Sequence, residues 1–173
     1  MRATRLASLD DAGVIAGLLS TGRDFFAPWE PSRADEYFTE EGQREVLRAA
    51  LGARKAGYCL PHVILDSSGN VVGRVTLNEI VRGPAQFCSL GYWVAPGYNG
   101  KGLATAAVAD IKRVAFEELR LHRIQAGTLV HNLRSQRVLE KNGFTRFGIA
   151  PGYLLIAGAW QDHVLYQVLN PAP

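Results

Sequence analysis

Sulfur is scarce in this chain: two cysteines and one methionine among 173 residues. Two thiols cannot build the disulfide framework of a small secreted domain, and Cys59 and Cys88 do not stand at metal-ligand spacing. Both lie in apolar sequence, so buried free thiols, no bound metal and a reducing, cytoplasmic setting are expected. Hydrophobic runs long enough to cross a membrane are missing, and the opening residues MRATRL lack the apolar core of a signal peptide. Excess charge is small as well. Lys and Arg number 19 against 16 Asp and Glu, and the resulting +3 is too little to argue for nucleic-acid binding by itself. Repeats, low-complexity segments and linkers are absent, so residues 1–173 are expected to form a single domain.

What is present concentrates in residues 88–110, CSLGYWVAPGYNGKGLATAAVAD. An apolar and aromatic run from Leu90 to Val94 reads as a strand. A loop dense in turn formers follows, Ala95-Pro96-Gly97-Tyr98-Asn99-Gly100-Lys101-Gly102, and then an alanine-rich helix opening on Leu103-Ala104-Thr105. Strand, glycine-basic loop and helix together point backbone N–H groups and a positive helix end at an anion. Gly100 and Gly102 carry no side chain to hold a phosphate away from those groups. A pyrophosphate is the ligand this spacing suits, although a flexible turn ahead of a helix would use the same residues. The P-loop does not fit, because Lys101 is followed by Gly102 rather than Ser or Thr. The dinucleotide fingerprint does not fit either, because Thr105 stands where its third glycine belongs.

Along the rest of the chain, residues 1–9 read as a strand, and Asp10-Asp11 cap a helix carrying Val14, Ile15, Leu18 and Leu19. Residues 22–33, GRDFFAPWEPSR, crowd Phe25, Phe26 and Trp29 around two prolines and do not read as a regular helix. Helices are expected from about Ser32 and over 39–57. Residues 58–65 form a strand in which Pro61 signals a bulge or an edge. A turn at 66–70 leads into Val71–Val81, where Gly73 signals a bulge or a close approach. Strands over 86–94 and 122–130 flank the helix after the loop. Residues 132–141 form a second amphipathic helix, capped by Asn132 and stopped by Asn142-Gly143. Strands over 144–149, 153–156 and 163–169 finish the chain, the last two joined around Gly158-Ala159. The expected class is α+β (mixed α/β), one twisted sheet flanked by helices.

The segment from Asn99 to Ala104 resembles the acyl-CoA pyrophosphate loop of the GCN5-related N-acetyltransferases, Gln/Arg-x-x-Gly-x-Gly/Ala, with Gly102 and Ala104 matching and Asn99 departing. Leu90-Gly91-Tyr92-Trp93-Val94, His131-Asn132-Leu133-Arg134-Ser135, Asn142-Gly143-Phe144, Pro28-Trp29-Glu30-Pro31 and Trp160-Gln161-Asp162-His163-Val164 add to it. Their order and separations resemble the ribosomal-protein alanine N-acetyltransferases of the RimJ/RimL type across nearly the whole chain.

The resemblance implies acetyl-CoA as acetyl donor, held by Asn99, Gly100, Lys101, Gly102, Leu103, Ala104 and Thr105. Backbone N–H groups of Trp93 and Val94 would serve the thioester carbonyl. That strand must splay from its neighbour after Val130, and Asn132, besides capping its helix, would bond the pantetheine arm. Where many relatives carry a tyrosine acid this chain has Leu139, which leaves Ser135 as the hydroxyl for the departing sulfur or as a structural serine. Phe25, Trp29 and Glu30 would line the acceptor groove, though aromatics in such a loop also anchor it to a core. Glu79 is a candidate base, placed by strand alternation with Val75 and Leu77 and so partly buried; a strand glutamate facing solvent is the ordinary alternative. Asp162 and His163 could hold the acceptor's amino end.

The function implied is direct N-acetylation of a protein or peptide N-terminus, of the ribosomal-protein alanine type, by a monomer or homodimer with no membrane or nucleic-acid partner. An acetyltransferase for a small amine and a non-catalytic acyl-CoA-binding module are the alternatives. Neither cysteine has a histidine partner in a nucleophile motif, so no acyl-enzyme is expected.

Overall fold

Adjacent residues Val63 and Ile64 turn to opposite faces of the sheet, and so do Val71 and Val72, and each face has its own buried cluster. The computed structural model that shows this describes residues 2–171. Its strands are β1 (Thr4–Leu6), β2 (Leu60–Leu65), β3 (Val71–Val81), β4 (Phe87–Val94), β5 (Arg123–Leu129), β6 (Thr145–Ile156) and β7 (Ala159–Leu169). They form one sheet in the order β1-β2-β3-β4-β5-β7-β6, antiparallel throughout except at β4–β5. Helices α1 (Ala12–Thr21) and α3 (Glu40–Lys55) close one face through Ile15, Leu19 and Leu47. Helix α4 (Leu103–Arg113) closes the other through Val108 and Ile111, with Leu139 of α5 (Leu133–Lys141) beside it. The mixed α/β class is as expected from the alternation of periods along the chain. No helix among the described residues is long and apolar enough to cross a membrane.

Several local expectations change. The first strand spans three residues rather than nine, and Met1 lies outside the described residues. Asp11 spends its carboxylate on Arg5 and on the Ser8 N–H instead of capping α1. A single helical turn, α2 (Arg23–Phe26), does form in the aromatic segment, one residue after α1, before Pro28 stops it. The helix expected from Ser32 is reduced to a 3₁₀ turn at Asp35–Phe38. Cys59 is only partly buried, whereas Cys88 is enclosed.

Pro61 sits in an interior strand and at no bulge. Its carbonyl accepts from Ala7 N–H just past the end of β1, so the N–H it lacks would have faced a strand that has already ended. The bulge of β2 falls later, between Ile64 and Leu65. Residues 145–156 make one strand rather than two, with register shifts at 146/148 and 150/154 absorbing the Pro151-Gly152 pair. The turn into β7 is Ala157-Gly158, both at positive φ (50° and 80°), the geometry of a two-residue hairpin.

Gly73 makes the close approach its type suggested. A Cβ there would overlap the Trp93 carbonyl oxygen and lie 3.0 Å from Val94 Cα, so β3 and β4 meet backbone to backbone next to the phosphate-ready loop.

Candidate active site

Parallel strands β4 and β5 pair only at Phe87↔Arg123, Cys88↔Ile124 and Ser89↔Gln125. Beyond Ser89 they part, well before the Val130 position expected. The gap is a cleft of about 340 Å³ whose walls include Leu90 to Val94 on one side and Ala126 to Leu129 on the other. Strand backbone that loses its neighbour has free donors and acceptors. Ala95 N–H donates to Val72 O on the β3 side, and strand alternation therefore turns the Val94 N–H to the side β5 has left. The same alternation keeps the Trp93 N–H in the β3 ladder, so Val94 alone of the expected pair offers its amide to the cleft. The Trp93 ring lies edge-on to Phe26 at 5.3 Å.

At one end of the cleft lies the loop. Asn99 uses its side-chain amide to brace the chain, donating to Val94 O, Ala95 O and Pro96 O at 3.2 to 3.4 Å. Gly102, at φ 77°, ends the loop in left-handed backbone as the N-cap of α4. Nothing of the protein comes within 4 Å of a Cβ built at Gly100 or Gly102, so open space lies over the first-turn amides of α4. Lys101 stands above the Tyr98 ring, 5.3 Å from its centroid. Ala104 lines the cleft itself, Leu103 packs on the core, and the Thr105 carbonyl accepts from Asn142. Gly102→Val should raise the dissociation constant for acetyl-CoA at least about tenfold, roughly 1.4 kcal/mol, because a β-branched residue strains at that φ and shields the amides. Calorimetric titration checks this; unchanged affinity in a folded variant removes the loop from the site.

Along the middle, Asn132 caps α5 by accepting the Ser135 N–H at 3.1 Å through Oδ1, which leaves its NH₂ group for a ligand. Ser135 lines the cleft, and its Oγ is 2.7 Å from the hydroxyl of Tyr92, which also reaches the Ser135 carbonyl at 3.2 Å. Burial pushes the Tyr92 phenol up to about 12, against the opposing hydrogen bond from Ser135, so it stays protonated at neutral pH. Sequence reasoning passed over Tyr92. Its only signal was position, since a residue on β4 facing α5 can supply the hydroxyl that Leu139 lacks. Thr128 was missed as well: its hydroxyl is buried, lines the cleft and has no hydrogen-bond partner among the described residues. An orphaned hydroxyl in the splayed strand suits an amide-bearing arm lying between β4 and β5.

The other end is aromatic. Phe25, Phe26, Trp29 and Glu30 line it, with Trp29 tilted against His131 at 5.5 Å. Glu30 is half-buried, and desolvation raises its carboxyl above the usual range despite the opposing fields of Arg33 and Arg74. His163 faces the cleft from β7, almost fully enclosed; its Nδ1 lies 3.0 Å from Gln161 O, which can only accept, so Nδ1 carries the proton and Nε2 is left for the cleft.

Two candidates fall elsewhere. Glu79 is exposed rather than partly buried, because β3 bulges between Asn78 and Val81 and breaks the alternation with Val75 and Leu77. At φ 51° it accepts a hydrogen bond from Ser89, the last β4 residue paired to β5, and is not among the residues lining the cleft. Asp162 alternates outward from His163 and accepts from Gly152 N–H at 2.8 Å, bracing the shifted register of β6.

Comparison with known proteins gives this geometry its context. The family model described as Acetyltransferase (GNAT) domain matches residues 4–145. The chain is 40% identical over 168 residues to Probable N-acetyltransferase YjcK of Bacillus subtilis (strain 168), covering 96% of this chain and 93% of that protein. It is 33% identical to the [Ribosomal protein uS5]-alanine N-acetyltransferase of Escherichia coli (strain K12), covering 96% and 87%. Mycobacterium smegmatis RimJ, solved in complex with CoA-disulfide, superposes with a TM-score of 0.92 at 30% identity, covering 96% of this chain and 80% of that one.

Proposed function

Since the chain belongs to the GNAT acetyltransferase family and is an N-acetyltransferase, we propose that it carries acetyl from acetyl-CoA directly to the N-terminal α-amine of a protein, of the ribosomal-protein alanine type. One observation carries the reading: a single cleft runs from the glycine loop, between β4 and β5, to the wall formed by Phe25, Trp29 and Glu30. A thioester donor with a pyrophosphate and a long amide arm matches the first two parts, and an extended peptide end matches the third. The relatives named for alanine N-acetylation and the CoA-bound neighbour support it.

In this reading the pyrophosphate rests on the amides of Gly102 to Thr105, and the arm meets Asn132 and Thr128. The Val94 N–H donates to the thioester oxygen, strengthening as that oxygen becomes an oxyanion. The amine nitrogen attacks the carbonyl carbon, the C–N bond forms, the C–S bond breaks, and a proton from the Tyr92–Ser135 pair meets the departing sulfur.

Acetyl transfer to a panel of alanine-starting peptides and small amines tests the proposal. Peptides should be acetylated with higher kcat/KM, and Trp29→Ala should raise the peptide KM far more than the acetyl-CoA KM. Small amines turning over faster than every peptide would move the assignment to a small-molecule acetyltransferase. Acetyl-CoA binding with no transfer to any acceptor would favour a binding module.

A further inference from the structure

The cleft reads as built for an amine, yet an α-amine with a pKa of about 8 arrives mostly protonated near neutral pH and cannot attack until it loses that proton. Glu30 is the one carboxylate among the residues lining the cleft. Its carboxylate has no ion pair or side-chain hydrogen bond among the described residues, so its lone pairs are uncommitted. Its main chain, by contrast, is held. Pro31 restricts it to extended backbone, and the Glu30 carbonyl accepts from the Ala157 N–H of the β6–β7 turn at 3.1 Å. Glu30 also forms part of a second hollow of about 210 Å³, which shares Phe26 and Pro31 with the cleft. We infer that Glu30 is the general base of the transfer, receiving the first proton of the acceptor's ammonium and passing it to water through that second hollow. The inference rests on the N-acetyltransferase reading above.

The proton balance closes. The ammonium gives one proton to the Glu30 carboxylate and attacks as a neutral amine. The second proton leaves the nitrogen of the tetrahedral adduct and replaces the one that the hydroxyl pair gave to sulfur. The products are the amide, CoA thiol and a protonated Glu30, which is restored by water. The charged and titratable groups around Glu30 are Arg33 and Arg74, whose fields act on it, with Arg23 and Tyr37 in the second hollow and Tyr92, Arg134 and His163 in the cleft. His163 suits proton exchange less well: it is 3% exposed and lines no second hollow, so a proton taken at Nε2 would have to leave through the cleft that the substrates fill.

The test compares wild type with Glu30→Gln, Glu30→Asp and His163→Gln, at saturating acetyl-CoA across pH. Two acceptors are used: an alanine-starting peptide, and hydroxylamine, which is already neutral near pH 7. Glu30→Gln should lower kcat on the peptide about a hundredfold near neutral pH. The deficit should shrink as pH rises past about 8, hydroxylamine turnover should stay near wild type, and Asp should restore part of the loss. Glu30→Gln that raises only the peptide KM, or slows both acceptors equally, overturns the inference, as does a pH-dependent loss confined to His163→Gln. If wild type acetylates hydroxylamine but no peptide, the protein-acceptor reading fails instead, and a primary alkylamine, which also arrives protonated, then decides Glu30 by the same comparison.

Discussion

Ser135→Ala should lower kcat roughly tenfold to a hundredfold while leaving acetyl-CoA affinity nearly unchanged. A departing CoA thiolate is basic at neutral pH, so a hydroxyl that donates as charge develops acts on the transition state more than on the bound donor. The 2.7 Å contact with Tyr92 sharpens the expectation. With the Tyr92 O–H donating to Ser135 Oγ, the serine proton is free for sulfur and is replaced as it leaves. Tyr92→Phe keeps the partly buried ring and removes only the hydroxyl, with its contacts to Ser135 Oγ and to the Ser135 carbonyl, so it should also lower kcat with little change in donor affinity. Because the two hydroxyls serve one proton, the double variant should be scarcely slower than the worse single one. Steady-state kinetics, calorimetry and thermal melts on the three variants decide it. Additive losses would mean two independent roles, and unchanged kcat for Ser135→Ala would leave the serine as a plain member of α5.

Gly73→Ala should destabilise the protein by about 3 kcal/mol, the upper part of the range for overpacked sites, and so lower Tm by roughly 6–12 °C for a domain of this size. Its Cβ would overlap the Trp93 carbonyl, a backbone atom that cannot swing aside as a side chain can. Relief requires β3 and β4 to separate beside Val94, the residue that offers its N–H to the cleft, so turnover should fall as well even in the folded fraction. A melt showing the wild-type Tm would mean that the strand pair yields at little cost.

The family, the mixed sheet and the loop were legible in the chain itself. Gly100, Gly102 and the alanine-rich helix opening are local chemistry: backbone that must approach a phosphate needs glycine, and an N-terminal helix end follows from propensity. Asn132 as a cap and Asn142-Gly143 as a stop are local in the same way, and Asn132 does cap α5 while Gly143 adopts φ 79°. Glu79 is exposed, not partly buried as expected, because strand alternation was counted through a bulge, and a bulge is a property of two paired strands, not of one. Asp162, expected from the hairpin motif to hold the acceptor, instead accepts from Gly152 N–H, a partner that the register of β6 on β7 decides. Tyr92 beside Ser135, 43 positions away, and the uncommitted carboxylate of Glu30 behind Trp29 depend on how β4, α5 and the aromatic loop pack. Local sequence determined which segments could meet a cofactor. Only the packing of distant segments decided which side chains meet each other, because burial and hydrogen-bond geometry are set by partners that no single segment contains.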